Sequence, residues 1–223
     1  MPDVRIPLDE VTLDGSLDMV DEPAGIVLFA HGSGSSRHSP RNRYVAEALR
    51  ERRFATLLMD LLTPEEEQVD LVTRHLRFDV HLLADRLSGA AYWLGSQPRT
   101  ASLPAGYFGA STGAAAALIA AAEDPARVFA VVSRGGRPDL AGDALPEVRA
   151  PTLLIVGGRD EPVIQLNQEA QARMRCETAL EIVPGATHLF EETGALEEVA
   201  ALAAAWFEHH VPAARSASDS RTR

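Results

Sequence analysis

The chain has one cysteine in 223 residues, Cys176, so no disulfide can form within it. The stretch around it, 171–178, reads as helical and carries no catalytic signature, which makes Cys176 a structural residue suited to a reducing compartment. No apolar run approaches the roughly 20 residues needed to span a bilayer. The opening Met1-Pro2-Asp3-Val4-Arg5 is not a charged region leading into an apolar run, so no secretory signal is read. Basic residues are also scarce, with 21 Lys and Arg against 32 Asp and Glu and a net charge of −11. Without a basic stripe to neutralise phosphates, nucleic acid is excluded as a partner, and the acidity reads as a solvated surface. These absences point to a soluble, cytoplasmic protein that engages neither nucleic acid nor membrane. Oligomeric state leaves no mark in the sequence.

Hydrophobic residues make up 46% of the chain and charged residues 24%, a composition that supports one well-buried core. From residue 25 onward, short apolar runs alternate with longer helical patterns, the rhythm of a parallel sheet. Strands are read at 25–30, 54–60, 105–109, 128–133, 152–156 and 179–183. Helices are read at 40–53, 79–97, 113–123, 162–176 and 194–209. An antiparallel pair over 3–20, turning at Asp14-Gly15, brings the count to about eight strands in a mostly parallel sheet with helices on both faces. Only about 18 residues, 134–151, separate two late strands, which leaves no room for a large cap domain. The segment 61–78, with Pro64 and the run Glu65-Glu66-Glu67, reads as a solvated helix and loop, the alternative being a lip over a pocket. Residues 1–211 form a single domain, and the Ser- and Arg-rich 212–223 is expected to be disordered.

The sharpest signal is Gly109-Ala110-Ser111-Thr112-Gly113. This G-x-S-x-G pattern arises by chance in about one chain of this length in fifteen. Here an apolar strand precedes it and an Ala-rich helix follows, the setting in which a tight turn lifts a serine hydroxyl clear of a sheet. The amide of Thr112, at the helix N-terminus, would then face a developing oxyanion.

Serine needs a base, and seven histidines are available. His188 follows a strand in the loop Pro184-Gly185-Ala186-Thr187-His188, at the carboxyl edge of the sheet. His38, His75, His81, His209 and His210 lie in loops, before the serine or near the chain end. Asp160 ends Gly157-Gly158-Arg159-Asp160 after another strand and is the candidate that orients the base, with Glu161, Asp139 and Asp143 as competitors. His31-Gly32-Ser33-Gly34 follows the 25–30 strand. Its small residues allow close approach, and the backbone N–H of Ser33, or of Gly34, is the candidate for the second oxyanion donor that a G-x-S-x-G arrangement takes from such a loop, while His31 braces the loop. A phosphate-loop reading fails, since G-x-x-x-x-G-K-[ST] is missing and no lysine stands nearby.

These four motifs, in this order, resemble the α/β-hydrolase superfamily over about residues 20–210. The compact size is similar to its dienelactone hydrolase-like branch. The resemblance implies an eight-stranded sheet and acyl-enzyme chemistry on esters. Dienelactone hydrolases themselves use a cysteine nucleophile where Ser111 stands, and dehalogenase and epoxide hydrolase relatives use aspartate. The chain is therefore expected to be a serine hydrolase of small carboxylic esters, with Ser111 as nucleophile, His188 as base and Asp160 as its support. It would need neither metal nor cofactor. A thioesterase or acyltransferase could run on the same residues, and a non-catalytic binding protein could share the fold.

Overall fold

The structure is a computed structural model that describes residues 2–213. The disorder expected of the tail lies outside the described residues from position 214 onward.

Eight strands form one sheet: β1 (Asp3–Pro7), β2 (Thr12–Asp18), β3 (Gly25–Ala30), β4 (Phe54–Met59), β5 (Ala105–Ala110), β6 (Val128–Arg134), β7 (Thr152–Gly157) and β8 (Thr178–Val183). Their spatial order is β1-β2-β4-β3-β5-β6-β7-β8. The contacts β1–β2 and β2–β4 are antiparallel and all others parallel. Central strands β3, β4, β5 and β7 are buried at every residue, which is why they read as unbroken apolar runs.

The helices are α1 (Pro40–Glu51), α2 (Pro64–Thr73), α3 (Val80–Ser96), α4 (Thr112–Glu123), α5 (Glu161–Arg173) and α6 (Ala195–His210). Side chains alternate along each strand, so the sheet feeds two cores. Ile26, Leu28 and Tyr107 pack with α3 and α4 on one face. Val27, Phe29, Phe108 and Val132 pack with α1 and α6 on the other. The fold is thus an α/β-hydrolase fold with helices on both faces, and no large cap is inserted among the described residues; the β6–β7 link holds only the 3-10 stretch Pro138–Glu147.

Three expectations change. The first hairpin does not turn at Asp14-Gly15. Those residues lie inside β2, opposite Arg5 and Val4, and the chain turns at 8–11, where the Leu8 N–H donates to the Val11 carbonyl at 2.8 Å. Gly15 serves close packing instead, since a Cβ there would sit 3.0 Å from Ile6 Cδ1. Cys176 lies past the end of α5, before β8, partly buried against the core, and burial pushes its thiol pKa up. The segment 61–78 is more than a solvated surface element. Thr63 and Glu66 form a capping box that starts α2 at Pro64. Leu61, Leu62 and Leu71 then turn toward a cavity at the carboxyl edge of the sheet.

Candidate active site

Ser111 stands between β5 and α4 with φ 51° and ψ −122°, a region of backbone space that L-residues rarely occupy. The flanking glycines are required by contact. A Cβ on Gly109 would lie 2.4 Å from Ala114 Cα, and one on Gly113 only 2.2 Å from the Ala30 carbonyl oxygen. Ser111 occupies the N-cap position of α4, yet its side chain makes no capping hydrogen bond. Its backbone is tied on both sides: its N–H donates to the Arg134 carbonyl at 3.3 Å, and its carbonyl accepts from the Arg137 N–H at 3.0 Å.

Asp160 and His188 come from the loops after β7 and β8. These loops are zipped together by Gly158 N–H to the Val183 carbonyl and Arg159 N–H to the Ala186 carbonyl, each at 2.9 Å. Gly157 permits the approach, because a Cβ there would sit 2.5 Å from the Ala186 carbonyl oxygen. The result is a 2.7 Å contact between His188 Nδ1 and Asp160 Oδ2. The imidazole is 41% exposed and the carboxylate 15%, so the ring reaches the open edge while its partner is sheltered. Gly135, next to Arg134, faces the ring: a Cβ there would lie 3.6 Å from His188 Cε1. Among the described residues the Ser111 hydroxyl makes no hydrogen bond to His188, a contact that is often long in enzymes without substrate.

The competitors are engaged elsewhere. Asp139 pairs with Arg137 at 2.8 Å and Asp143 with Arg173 at 3.3 Å, while Glu161 is exposed at the start of α5. His75 contacts Thr73 Oγ1, and His210 contacts the Trp206 carbonyl.

His31 braces the loop that follows β3. Its Nε2 accepts from the Leu61 N–H at 3.2 Å, so the ring proton sits on Nδ1 and is donated to the Gly32 carbonyl at 3.0 Å. Burial lowers its pKa and keeps it neutral. Gly32 lies directly beside Ser111, since a Cβ on it would be 3.0 Å from Ser111 Cβ. The Ser33 N–H is not free: it donates to Thr112 Oγ1 at 3.1 Å.

The same loop opens on a cavity of about 430 Å³ between it and the 61–78 segment. Ser33, His38 and Arg77 give it polar walls, and Leu61, Leu62 and Leu83 apolar ones. Burial, followed by the charge of Asp60, raises the pKa of Glu67 at its side. Sequence reading missed how Asp70 and Arg77 enter this region, and also missed Arg134 beneath the nucleophile turn. The available signal for the second was Arg134-Gly135-Gly136 at the carboxyl end of a strand.

With this geometry established, residues 24–211 match the model of the dienelactone hydrolase family. The chain belongs to the dienelactone hydrolase family. It is similar to a dienelactone hydrolase from Anabaena variabilis, with 61% identity and a TM-score of 0.93 over 95% of this chain and 98% of that one. Two Mycobacterium tuberculosis proteins, provisionally named phosphoribosyl transferase, are 61% identical over 209 residues. That match takes in 94% of this chain and 46% of theirs, so the chain spans about half the length of these curated relatives. Est1E from Butyrivibrio proteoclasticus shares the fold, at 16% identity and a TM-score of 0.78 over 94% of this chain and 98% of that one. As a family member the chain carries the α/β-hydrolase fold of that family. Among the described residues, no helix is long and apolar enough to cross a membrane.

Proposed function

We propose that this family member is a serine esterase that cleaves small carboxylic esters through an acyl-enzyme. The observation that carries the reading is the Asp160–His188 pair, assembled from two loops beside a serine held in a strained turn. Ser111 Oγ attacks the ester carbonyl carbon while His188 Nε2 takes the hydroxyl proton. Asp160 holds Nδ1–H, fixes the tautomer and stabilises the imidazolium. The developing oxyanion is received by the amides of Thr112 and Ser33, the latter once the Thr112 hydroxyl gives way to it. His188 returns the proton to the departing alcohol. Water, activated by the same imidazole, then attacks the acyl-enzyme, releasing the carboxylic acid and restoring Ser111.

The name carried by the two mycobacterial relatives belongs to proteins of which this chain spans 46%, and we assign the hydrolase chemistry to this half. The test is labelling by a fluorophosphonate probe, followed by turnover of p-nitrophenyl esters of rising chain length beside the matching acyl-CoA thioesters. Wild type should label and turn over short esters fastest, and Ser111→Ala should do neither. A wild-type chain that stays unlabelled sinks the enzyme reading, and a preference for thioesters reassigns the substrate class.

A further inference from the structure

The Ser33 side chain links the oxyanion loop to the segment after α2. Its Oγ lies 3.2 Å from the Arg77 carbonyl oxygen and 2.9 Å from Thr112 Oγ1. A carbonyl can only accept, so the Ser33 hydroxyl proton points at Arg77. The Thr112 hydroxyl must therefore donate to Ser33 Oγ, and Thr112 Oγ1 accepts the Ser33 N–H at 3.1 Å. Every proton in this set has one allowed place. At rest the Ser33 amide is thus taken up by Thr112 Oγ1. The Ser33 side chain is held by the Thr112 hydroxyl and the Arg77 carbonyl, bonds that do not use the amide and leave it free to turn to an oxyanion.

The Arg77 carbonyl is held in turn by Asp70. Asp70 is 2% exposed. Its Oδ1 accepts the N–H of Leu76 at 2.8 Å and of Arg77 at 3.2 Å, its Oδ2 pairs with Arg77 Nε, and its carbonyl accepts Arg77 Nη2 at 3.1 Å. Apolar support for the segment comes from Leu76, partly buried against the core, while Leu71 is 64% exposed and Phe78 57%, and Arg74 sits at φ 57°. The Arg77 guanidinium also lies over Gly34, where a Cβ would be 3.5 Å from Nη1.

We propose that Asp70 is a positioning residue for the oxyanion loop, ordering residues 76–77 so that the Arg77 carbonyl anchors Ser33 and keeps its amide beside Ser111. The functional part of this inference rests on the esterase reading above. The structural part does not.

The experiment uses Asp70→Asn, which keeps an acceptor oxygen and the side-chain shape but loses the charge facing Arg77. It is paired with Ser33→Ala, which keeps the amide and cuts the link. Amide exchange on the whole chain reads the link without turnover. Exchange at Ser33 should speed up about tenfold in Asp70→Asn, while the β3 amides stay protected as a local opening requires. With a short p-nitrophenyl ester, each single variant should lose about tenfold in kcat, short of the roughly 10²–10³ that follows outright loss of an oxyanion donor, with KM within about twofold. The double variant should be no slower than Ser33→Ala alone, because both act on one anchor. If the two losses multiply, or Ser33 exchange in Asp70→Asn equals that of wild type, the inference is overturned. Arg77→Lys, which keeps the charge and loses the fork, decides the matter if Asp70→Asn does not fold; its Ser33 exchange should also rise, and no rise overturns the inference. A wild-type chain without esterase activity but with the expected exchange pattern would sink only the functional reading.

Discussion

His188 Nδ1 lies 2.7 Å from Asp160 Oδ2, a contact made between two loops 28 residues apart in the chain. The contact uses Nδ1 and leaves Nε2 for the role proposed above. In Asp160→Asn the amide replaces an acceptor-only oxygen, and the ring can settle in the wrong tautomer. The expected loss is about 10³–10⁴ in kcat with KM little changed. Steady-state turnover of a short p-nitrophenyl ester, with labelling rate as a parallel readout, checks it. A loss under tenfold would remove Asp160 from the mechanism.

Ser111 sits at φ 51° and ψ −122°. Such a conformation costs a non-glycine residue on the order of 1–3 kcal/mol, and glycine adopts it without strain. Ser111→Gly should therefore melt above both wild type and Ser111→Ala while losing all esterase activity. In a domain of this size each kcal/mol moves the midpoint by about 2–4 °C, an amount that calorimetry resolves. A Ser111→Gly chain that melts below Ser111→Ala would show that the turn carries no strain.

What could be read from the sequence, and what could not, divides by the range of the interactions. The pentapeptide was legible because sterics enforce it: Gly109 and Gly113 have backbone atoms within 2.4 Å and 2.2 Å of where a Cβ would go. The central strands were legible because burial on both faces leaves them almost wholly apolar. Asp14-Gly15 misled because a local turn signal yielded to long-range pairing, with Gly15 opposite both Val4 and Met59. The Ser33–Thr112 bond joins residues 79 apart, and the Asp70–Arg77 pair lies in a stretch whose charge run reads as solvated. Polar contacts of that kind have no period. Sequence periodicity therefore located Asp160 and His188 at strand ends but said nothing of what holds Ser33.

His31 ties the oxyanion loop to Leu61 only while Nε2 is unprotonated. Burial lowers its pKa in the folded chain below the ordinary 6.5. Between the two values the unfolded chain binds a proton that the folded chain does not, so stability falls as pH drops below 6.5 and is full above it. Urea unfolding at pH 7.5 and 5.5 should show a smaller acid loss in His31→Asn than in wild type, since Asn can accept from Leu61 without titrating. Comparing the two chains cancels the other six histidines. Equal acid losses would mean that His31 does not couple to folding.

Arg134 is 7% exposed at the carboxyl end of β6, and no carboxylate lies within ion-pair distance among the described residues. Its Nη2 reaches Asn42 Oδ1 at 3.5 Å, its Nε has no partner, and the Phe190 ring lies 5.9 Å from its guanidinium carbon. Burial, then the neighbouring charge of Arg41, pushes its pKa down to about 10. A buried charge left without a counter-charge is destabilising, and an apolar side chain of similar volume relieves it. Methionine has the length and flexibility to fill the same space. Arg134→Met should therefore raise the unfolding free energy by about 1–3 kcal/mol, within the range seen when buried charges are replaced. The hydrogen bond to Ser111 comes from the Arg134 main chain, so the nucleophile turn should persist and turnover of neutral esters stay within about threefold. Arg134→Lys keeps the charge, loses the Asn42 contact and should be less stable than wild type. Denaturant melts of the three chains decide the point: if Arg134→Met is the least stable, the guanidinium is compensated and the charge argument fails.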